Sequence, residues 1–424
     1  MVINKRYKRT DIGVIPNDWN LLNLGDLTTK IGSGITPKGG EKVYTDRGRP
    51  FVRSQNISWG KLNLSDIAYI NEVTHSTFTA TEIKLNDVLL NITGASIGRS
   101  AVADERIKCG NVNQHVCIIR VNEKVVNPYF LNAFLLSHIG QKLIDSFQTG
   151  GNRQGLNFGQ IKSFQIPVPP TIEEQNAITK ALNETDALIE SLQKLIAKKQ
   201  NVKQATMQVL LTGRKRLKGF KGEWVMKSLE QIGKITGAGV DKKIRENEVK
   251  VRLVNYMDVF KNDFIYSKQL NHEVTAPFTQ VQRCSVRKGD IFFTPSSEMR
   301  YDIAISAVAM EDIADATYSY HVVRLRLEED WDLAFRAYIF KTNYFLSQAE
   351  AICEGSGKRY VISLRKFRQL NVMYPISKDE QQAISNVLYD MDAEIATLQA
   401  QLLKYKLMKE GMLQNLLTGK VRLI

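Results

Sequence analysis

The sequence contains two copies of the same tail. "TIEEQNAI" begins at Thr171 and "SKDEQQAI" begins at Ser377, which is 206 residues later (377 − 171 = 206). The tails end in "LLTGRKRL" from Leu210 and "LLTGKVRL" from Leu416, which match at six of eight positions at the same offset (416 − 210 = 206). Similarity that recurs at a fixed spacing is the signature of a duplicated structural unit. We therefore expect the chain to fold as two copies of one unit.

The similarity also covers the segments that precede the tails. Trp19 corresponds to Trp224 at an offset of 205 (224 − 19 = 205), and "LNDVLL" at 85–90 corresponds to "KGDIFF" at 288–293. A chain of 424 residues is too long for one ordinary core. Each copy should therefore contribute a domain of its own.

The body of each copy is predicted to mix strands and helices. The β-branched runs "HVCIIRV" at 115–121 and "HVVRLRL" at 321–327 are bounded by turn residues and predict strands. Helical periodicity follows in 127–145 and in 333–352. Each body is therefore predicted to be a compact α+β domain.

Each tail is predicted to be one long helix. Thr171 and Ser377 are each followed three residues later by a glutamate, which predicts a capping box whose hydroxyl accepts a backbone N–H while the carboxylate reaches back. Gly213 and Gly419 are suited to end the helices in the left-handed conformation. A helix from Thr171 to Thr212 would be roughly 60 Å long at 1.5 Å per residue.

Apolar residues at alternating steps of four and three predict that the two helices pair as a coiled coil. The alternative, in which each helix covers only its own domain, is less favoured because such long helices exceed what one body needs. The predicted pairing residues are Ile178, Leu182, Ile189, Leu192 and Ile196 in the first helix, and Ile384, Leu388, Met391, Ile395, Leu398 and Leu402 in the second.

The predicted architecture is two similar globular α+β domains joined by two long antiparallel coiled-coil helices with pseudo-two-fold internal symmetry. The expected boundaries are 1–170 for the first domain, 171–213 for the first helix, 214–376 for the second domain and 377–424 for the second helix.

Composition limits the compartment and the class of partner. The chain has no apolar run that could span a membrane, so we expect a soluble cytoplasmic protein. Its four cysteines lack zinc-site spacing and are expected to be reduced core thiols, with no metal site. The formal charge of +14 favours a polyanionic partner, although a merely solvated basic surface would carry the same charge.

A basic protein with two unlike heads and a rigid helical spacer is suited to a duplex that it contacts at two places. Half-sites about one turn of B-DNA apart, roughly 34 to 36 Å, would match such a spacer. Because the two bodies differ in sequence, the sequence predicts a bipartite target with unlike halves.

The whole chain resembles the specificity (S) subunit of Type I restriction-modification systems. The resemblance is carried by "FQIPVPPTIEEQNAI" at 164–178, "VMYPISKDEQQAI" at 372–384, the "LLTG" helix ends at Leu210 and Leu416, and "GASIG" at 94–98. The chain departs from its own first copy at 295–309, where "PSSEMRYDIAISAVA" replaces "ITGASIGRSAVA". The two domains therefore need not read DNA through matching loops.

The resemblance implies a role and a set of partners. In this family two target recognition domains contact double-stranded DNA, and the paired helices dock two modification subunits that methylate adenine with S-adenosylmethionine. Restriction subunits that use ATP with magnesium can be added to that core. The chain itself would then be non-catalytic and hold no cofactor, with these cofactors on the partner subunits.

The sequence lacks motifs for catalysis of its own. It contains no Walker A motif, no GxGxxG and no Asn/Asp-Pro-Pro-aromatic stretch for an extruded adenine, which disfavours a standalone methyltransferase. The glycines at 32–34 and 237–239 are predicted to form tight turns, and His115 and His321 to be structural or minor DNA contacts. A non-catalytic scaffold or an RNA-binding protein remains the alternative.

Candidate DNA-contacting residues lie in polar loops at equivalent places in the two copies. Base edges are read by Arg, Lys, Asn, Gln or Ser side chains, whereas other basic residues bind phosphates. In the first copy the candidates are Arg53, Gln55, Asn56, Ser96, Arg99, Asn152, Arg153 and Gln154. In the second copy they are Asn255, Tyr256, Asp258, Ser297, Arg300, Tyr301, Lys358, Arg359 and Tyr360.

Overall fold

The computed structural model describes residues 6–148, 155–237 and 239–423. The chain divides into two compact units: unit 1 comprises 1–193 with 401–424, and unit 2 comprises 194–400. Each unit therefore combines one body with parts of both tails. The boundaries predicted from the sequence stay a prediction, since this division does not test them.

Unit 1 contains eleven strands and four short helices in its described part, together with one half of each tail helix. The strands are β1 (Tyr7–Thr10), β2 (Gly13–Pro16), β3 (Asn20–Asn23), β4 (Thr28–Ser33), β5 (Arg49–Val52), β6 (Ala68–Ile70), β7 (Val88–Asn91), β8 (Ser100–Val102), β9 (Asn111–Val112), β10 (Val116–Val121) and β11 (Gln165–Val168). The helices are α1 (Glu72–Ser76), α2 (Pro128–Leu136), α3 (His138–Ser146), α4 (Phe158–Lys162) and α5 (Ile172–Leu210), the last of which continues into unit 2.

Unit 2 is built from a similar set of elements. Its strands are β12 (Trp224–Ser228), β13 (Gly233–Thr236), β14 (Val249–Val254), β15 (Phe264–Ile265), β16 (Glu273–Ala276), β17 (Ile291–Phe293), β18 (Ser296–Ser297), β19 (Ser306–Ala309), β20 (Ala316–Tyr318), β21 (Val323–Leu327), β22 (Glu354–Ser356), β23 (Arg359–Val361) and β24 (Asn371–Pro375). Its helices are α6 (Leu229–Ile232), α7 (Tyr256–Lys261), α8 (Phe278–Arg283), α9 (Phe335–Tyr338), α10 (Asn343–Ile352), α11 (Leu364–Arg368) and α12 (Lys378–Leu416), which continues into unit 1.

The duplication predicted from the sequence is confirmed sheet by sheet. The order β4-β10-β7-β8 in unit 1 corresponds to β13-β21-β17-β19 in unit 2, where β15 adds a fifth strand. The order β6-β5-β9 corresponds to β16-β14-β20, and in both sheets the second pair is parallel. The predicted mixed α+β fold with an internal repeat is therefore correct.

A buried aspartate and an arginine recur in the main sheet of each unit. Asp87 lies 2.7 Å from Arg120 in unit 1, and Asp290 lies 2.7 Å from Arg326 in unit 2. Both aspartates are about 1% exposed and also accept a backbone N–H three residues earlier. A buried carboxylate needs such partners to offset its desolvation, which explains why "ND" and "GD" recur before β7 and β17.

The core of each unit contains residues from both tails. In unit 1, Ile178 and Leu182 from α5 share a core cluster with Leu416 and Leu417 from the end of the second tail. In unit 2 the corresponding cluster contains Ile384 and Leu388 from α12, and it also contains Met207, Leu210 and Leu211 from the end of the first tail. Each body is therefore completed by the helix end of the other copy.

Ion pairs also join the first tail to the second tail within each unit. In unit 1 Lys409 lies 2.5 Å from Asp186, and in unit 2 Lys203 is paired with Asp392. Both members of the second pair are one repeat away from members of the first (409 − 203 = 392 − 186 = 206). In each unit, residues further along α5 contact residues nearer to the start of α12. The two helix halves therefore run antiparallel.

The contacts at the start of each long helix differ from those of the predicted capping box. The hydroxyls of Thr171 and Ser377 accept the expected backbone N–H, at 3.2 and 3.4 Å. The carboxylates of Glu174 and Glu380 do not reach back; they are fully buried and bind Arg422 and Arg216, respectively, each through two nitrogens. The reason is that both carboxylates face the interior, where a guanidinium offers two charge-assisted hydrogen bonds.

The glutamine that follows each of these glutamates, Gln175 or Gln381, also has a structural role, which explains why the Glu-Gln pair is repeated. Gln175 and Gln381 are each about 1% exposed. Gln175 accepts the backbone N–H of Asn127 at 2.7 Å, and Gln381 accepts that of Asp332 at 2.9 Å. Both also donate to the carbonyl of the proline that precedes the helix. Glutamate and glutamine thus join each long helix to its own body and to the other tail.

The glycines at 32–34 and 237–239 do not form the predicted tight turns. Gly32 lies within β4, and a Cβ on Gly34 would fall 1.5 Å from the carbonyl oxygen of Val112. A Cβ on Gly239 would fall 2.4 Å from the backbone at Tyr318 and Ser319. Gly34 and Gly239 are therefore required by the close approach of two backbone segments.

The four cysteines, all within the described residues, form no disulfide, and three of them are buried. Burial raises the pKa of Cys117 to about 12, so this thiol is inert. Cys109 is exposed, which corrects the expectation that all four lie in a core. None of the helices in the described ranges is long and apolar enough to cross a membrane.

Candidate nucleic-acid interface

A short antiparallel ribbon lies at the surface of unit 2. It consists of β22 and β23, which are joined by a two-residue turn. Glu354 lies opposite Val361 at one end of the pair, and Ser356 lies opposite Arg359 at the end next to the turn. Gly355 has φ = 138° and a Cβ there would meet the carbonyl oxygen of Arg359 at 2.1 Å, so the ribbon requires glycine at this position. β23 also pairs with β18, which fixes the ribbon to the rest of the unit.

Arg359 is held in place on this ribbon by neutral groups. Its Nη2 donates to the Oγ of Ser296 at 3.1 Å and lies 3.5 Å from the Nδ1 of His321. The side chain is exposed, and no carboxylate in the described part of the chain is paired with it. Its charge is therefore fixed in position without being neutralised.

Arg300 is held beside the ribbon in a similar way. Its Nη2 donates to the carbonyl oxygen of Cys353 at 3.2 Å, and its guanidinium lies 5.7 Å from the ring centroid of Tyr360. A guanidinium over an aromatic face is stabilised while its outer N–H groups stay available. Within the described ranges Arg300 also lacks a carboxylate partner.

Nine other arginines in the described ranges are neutralised by carboxylates. Glu354, the acidic residue of the ribbon itself, is occupied by Lys366 at 2.5 Å. Arg300 and Arg359 therefore keep available a positive charge that those nine arginines share with a carboxylate. The arginines paired with carboxylates are Arg49, Arg53, Arg106, Arg120, Arg216, Arg245, Arg252, Arg326 and Arg422.

His321 lies at the inner side of this surface. Burial lowers its pKa from 6.5, and the neighbouring charges of Arg359 and Lys242 lower it further. Its ring stacks with that of Tyr320 at a centroid distance of 3.9 Å, and Tyr320 is 50% exposed. A neutral imidazole can accept a hydrogen bond from Arg359, so His321 is suited to position that arginine.

The equivalent region of unit 1 uses different side chains. The Nδ1 of His115 lies 2.6 Å from the Oγ1 of Thr93, which takes the place of Ser296, and Thr93 is bridged to Gly155. Ser96 and Arg99 lie in the turn that follows, where the Arg99 N–H donates to the Ser96 carbonyl at 3.2 Å. The candidates Asn152, Arg153 and Gln154 lie outside the described residues.

The first group of predicted DNA contacts in unit 1 is engaged in local structure. Arg53 and Gln55 both donate to the carboxylate of Asp66, at 3.3 and 2.5 Å. Asn56 is fully buried and donates to the carbonyl oxygens of Asn63 and Asp66. These side chains hold their loop together, and only Gln55 of the three is exposed.

The corresponding group in unit 2 is also locally engaged. The carboxylate of Asp258 accepts the backbone N–H of Asn255 at 2.8 Å at the start of α7. Burial raises the pKa of Asp258, while that hydrogen bond and the charges of His272 and Lys242 lower it less strongly. The ring of Tyr256 stacks on Phe260 at 5.6 Å.

The structure therefore brings together one group of candidates. Arg300 lies against the ring of Tyr360, Arg359 directly precedes Tyr360 in β23, and Lys358 occupies the exposed turn of the ribbon. Ser297 pairs with Tyr360 across β18 and β23, and Tyr301 is 62% exposed. Sequence reasoning did not list Tyr320 or Lys242, for which no repeated motif gave a signal.

Most residues predicted to pair the helices are turned inward. Buried positions are Ile178, Leu182, Leu192, Ile196, Ile384, Leu388 and Ile395, whereas Ile189, Met391, Leu398 and Leu402 are half-buried. Other apolar side chains of the same helices are exposed. In unit 1 these are Leu188, Leu403, Leu407 and Met408, and in unit 2 they are Leu195, Val202 and Tyr389.

Within the residues that the structure describes, no group of three or more His, Cys, Asp or Glu side chains is placed to hold a metal ion. His115 and His321 instead have the hydroxyl and guanidinium neighbours given above.

Comparison with known proteins gives a consistent assignment. The family model described as "Type I restriction modification DNA specificity domain" matches twice, at residues 16–200 and 221–404. The putative Type I restriction enzyme MjaX specificity subunit of Methanocaldococcus jannaschii is 28% identical over 212 residues, which is 49% of each chain. The Type I restriction enzyme EcoBI specificity subunit of Escherichia coli is 26% identical over 214 residues, covering 50% of this chain and 43% of its own.

The matched part is about half the length of these curated relatives. The fold is also similar to solved structures over nearly the whole chain. The crystal structure of a Type I restriction-modification system S subunit from M. genitalium has a TM-score of 0.56 at 15% identity and covers 98% of both chains. A chain from a structural study of complex assembly and conformational transition of the type I R-M system has a TM-score of 0.58 at 15% identity, covering 96% of this chain and 99% of that one.

Proposed function

The chain belongs to the family of Type I restriction modification DNA specificity domains, and from this premise we propose that it is the DNA specificity subunit of a Type I restriction-modification complex. Unit 1 and unit 2 each bind one half of a bipartite duplex target, and the two halves differ. The chain performs no catalysis. Adenine methylation with S-adenosylmethionine takes place on two modification subunits, and restriction subunits with ATP and magnesium join them in the cytoplasm.

The observation that supports the proposal most strongly is the arginine surface of unit 2. Arg300 and Arg359 are exposed and held by neutral groups, so their charge is available to an anion. The chain as a whole has a formal charge of +14. A positive surface with fixed guanidinium groups and aromatic neighbours suits nucleic acid, where phosphates supply most of the affinity and base edges the specificity.

The exposed apolar side chains of the long helices support docking of protein partners. In unit 1 Leu403 is 60% exposed and Leu407 58% exposed, and in unit 2 Tyr389 is 52% exposed. Several large apolar side chains exposed on one element are typical of a protein-binding surface. The buried residues predicted to pair the helices, such as Leu388, hold each unit together and so leave these outer residues for the modification subunits.

Methyl transfer by the reassembled complex tests the proposal. The modification subunits of the same system are incubated with duplex DNA and labelled S-adenosylmethionine, with and without this chain. We expect adenine methylation only when the chain is present, and none from the chain alone. Methylation that does not depend on the chain, or binding of single-stranded RNA in preference to duplex DNA, would contradict the proposal.

Substitutions on the exposed helix surface test the docking of modification subunits. Leu403→Glu places a charge where a partner would bury it, so we expect loss of the complex in size-exclusion chromatography. Lys404→Glu, on the exposed neighbouring residue, is the matched control for a change of charge. The proposal predicts that L403E remains folded as judged by circular dichroism; a complex that forms normally with L403E would contradict this docking surface.

A further inference from the structure

A side chain whose position is fixed before DNA arrives recognises a base at a lower cost in conformational entropy. Arginine recognises guanine when two of its N–H groups face O6 and N7 in the major groove. A flexible lysine or a free arginine at a surface binds phosphate instead, because phosphate tolerates many geometries. An arginine that is fixed, exposed and not neutralised is therefore a candidate for reading bases.

Arg359 satisfies these three conditions. The Oγ of Ser296 and the Nδ1 of His321 hold only its Nη2, so the remaining donors of the guanidinium stay available. Because Ser296 lies in β18, which pairs with β23, the side chain is supported by the strand next to its own. Its exposure and the absence of a carboxylate partner in the described ranges leave its charge for a ligand.

Arg300 satisfies them from the other side of the ribbon. It is held by the Cys353 carbonyl at 3.2 Å and by the face of Tyr360, whose backbone is part of β23. Cys353 directly precedes β22, and Tyr360 lies in β23. Arg359 lies in β23 and Arg300 lies in the turn that follows β18, so both guanidinium groups are carried by the three-stranded sheet β18-β23-β22.

The antiparallel pair β22–β23 is of the kind that one groove of DNA accepts. The major groove of B-DNA admits a two-stranded antiparallel ribbon, and only there does guanine present both O6 and N7 to an arginine. Lys358, in the turn of the ribbon, is exposed and its ammonium group has no hydrogen-bond partner among the described residues. Such a lysine is suited to a backbone phosphate at the edge of the groove.

We propose that the β22–β23 ribbon enters the major groove of the half-site bound by unit 2, where Arg359 and Arg300 read guanine and Lys358 binds phosphate. This inference rests on the proposed function and deepens it by naming the residues that select bases and the base that they select. The half-site of unit 2 therefore contains at least one G·C pair whose guanine is contacted by arginine. His321 and Ser296 act as positioning residues for Arg359.

Selection of duplexes by the assembled complex tests this inference. Wild-type and variant complexes with modification subunits are mixed with a pool of random-sequence duplexes, and the bound fraction is sequenced. For Arg359→Ala or Arg300→Ala we expect the preference for guanine at one position of one half-site to fall by roughly 5- to 150-fold. The other half-site, bound by unit 1, serves as an internal control and should not change.

Two further variants separate base reading from charge. Arg359→Lys keeps the charge but loses the two-pronged donor geometry, so it should retain binding while losing the preference for guanine. Lys358→Ala should weaken binding to all sequences alike and lower the slope of log binding constant against log salt by about 1. If the Arg359→Lys variant keeps the wild-type preference for guanine, Arg359 acts through its charge alone and the inference is wrong.

The outcomes distinguish this inference from the proposed function. If the wild-type complex selects no sequence at all, the proposed function fails. If it selects a gapped sequence whose halves both lack a G·C pair, or if Arg359→Ala and Arg300→Ala both leave the selected sequence unchanged, the assignment of the ribbon fails while the proposed function stands.

Discussion

At the scale of single residues, buried charge is the feature that most needs explanation. Glu174 and Glu380 have no exposed surface, yet each lies at the start of a long helix. Each is bound by an arginine that follows the end of the other helix, and that arginine also lies about 6 Å from the centroid of a tryptophan ring. Such a pair adds little net stability, but losing one partner is costly because the other charge stays buried.

Arg216 provides a direct test of this pairing. Replacing it by alanine leaves the Glu380 carboxylate buried without a cation, so we expect the free energy of unfolding to fall by about 3 kcal/mol. Arg214 is exposed and only two residues away, and its replacement by alanine should change the free energy by less than about 0.5 kcal/mol. Denaturant titration of both variants measures the difference; equal losses would contradict the role of Arg216.

The environment of His321 predicts a dependence of stability on pH. Burial, Arg359 and Lys242 lower its pKa in the folded protein, so as the pH falls below 6.5 the unfolded chain takes up the proton first. The free energy of unfolding therefore contains a contribution that is present above pH 6.5 and is lost as the pH falls through the folded pKa.

The His321→Gln variant has no titrating imidazole at this position, so it is the variant to compare with the wild type. We expect the difference in free energy of unfolding between wild type and H321Q to shift against the wild type between pH 7 and pH 5. Curves for wild type and H321Q that stay parallel over this range would contradict the argument.

At the scale of elements, the long helices are set by local signals at both ends. Gly213 and Gly419 have φ values of 68° and 66°, in the left-handed region where the sequence predicted helix termination. A Cβ on Gly419 would lie 2.5 Å from the ring of Pro16. By contrast Gly411, inside α12, has open space where a Cβ would be.

Two glycine-to-alanine substitutions in and after α12 should have opposite effects. Gly419→Ala forces a side chain into the left-handed conformation and against Pro16, so we expect a loss of at least about 1 to 2 kcal/mol. Gly411→Ala replaces glycine inside a helix with no steric conflict and should stabilise by about 0.5 to 1 kcal/mol. Thermal unfolding of the two variants checks the signs, and a stabilising Gly419→Ala would show that this glycine is not required.

These elements could be predicted because their signals lie close together in the sequence. The predicted first helix, Thr171 to Thr212, differs from Ile172–Leu210 by one residue at its start and two at its end. The partner of Glu174 could not be predicted in the same way, because Arg422 is 248 residues away in sequence. The Glu174 carboxylate could either cap its own helix or bind a distant arginine. Because it is buried, it binds the arginine.

The ribbon β22–β23 was also missed as an element. Its strands have three residues each, and their pairing depends on β18, which lies about sixty residues earlier in the sequence. The repeat nevertheless predicted Arg300 and Arg359 as DNA contacts in loops, and of the two Arg359 lies in a strand, β23. Which of the polar loops are free to bind DNA could not be read from the sequence, because it does not show that Arg53 is held by Asp66 or that Asp258 is held by the backbone of Asn255.

At the scale of the whole molecule, the exchange of helix ends makes the two copies depend on each other. Unit 1 contains Leu416 and Leu417 from the second tail in its core, and unit 2 contains Met207 and Leu210 from the first. The linker at 218–222 consists of exposed residues apart from half-buried Phe220, and Gly219 has φ = 96°. A break in this linker removes none of the core contacts.

We therefore expect fragments 1–218 and 219–424 to assemble when they are produced together. Co-purification through a tag on one fragment measures this assembly. Leu417→Asp, at a fully buried position, should abolish it, whereas Leu403→Asp, at a position 60% exposed, should not. Fragments that fail to associate, or that associate equally well with Leu417→Asp, would contradict the exchange.

The central claim is that two similar but unlike domains of one chain each select half of a DNA target. A map of methylated adenines at single-base resolution in a genome modified by the complex containing this chain tests it most directly. The account predicts methylation within one two-part motif, in which two unlike short sequences are separated by a fixed number of unspecified bases. A single continuous motif, two identical halves or methylation without sequence preference would contradict it.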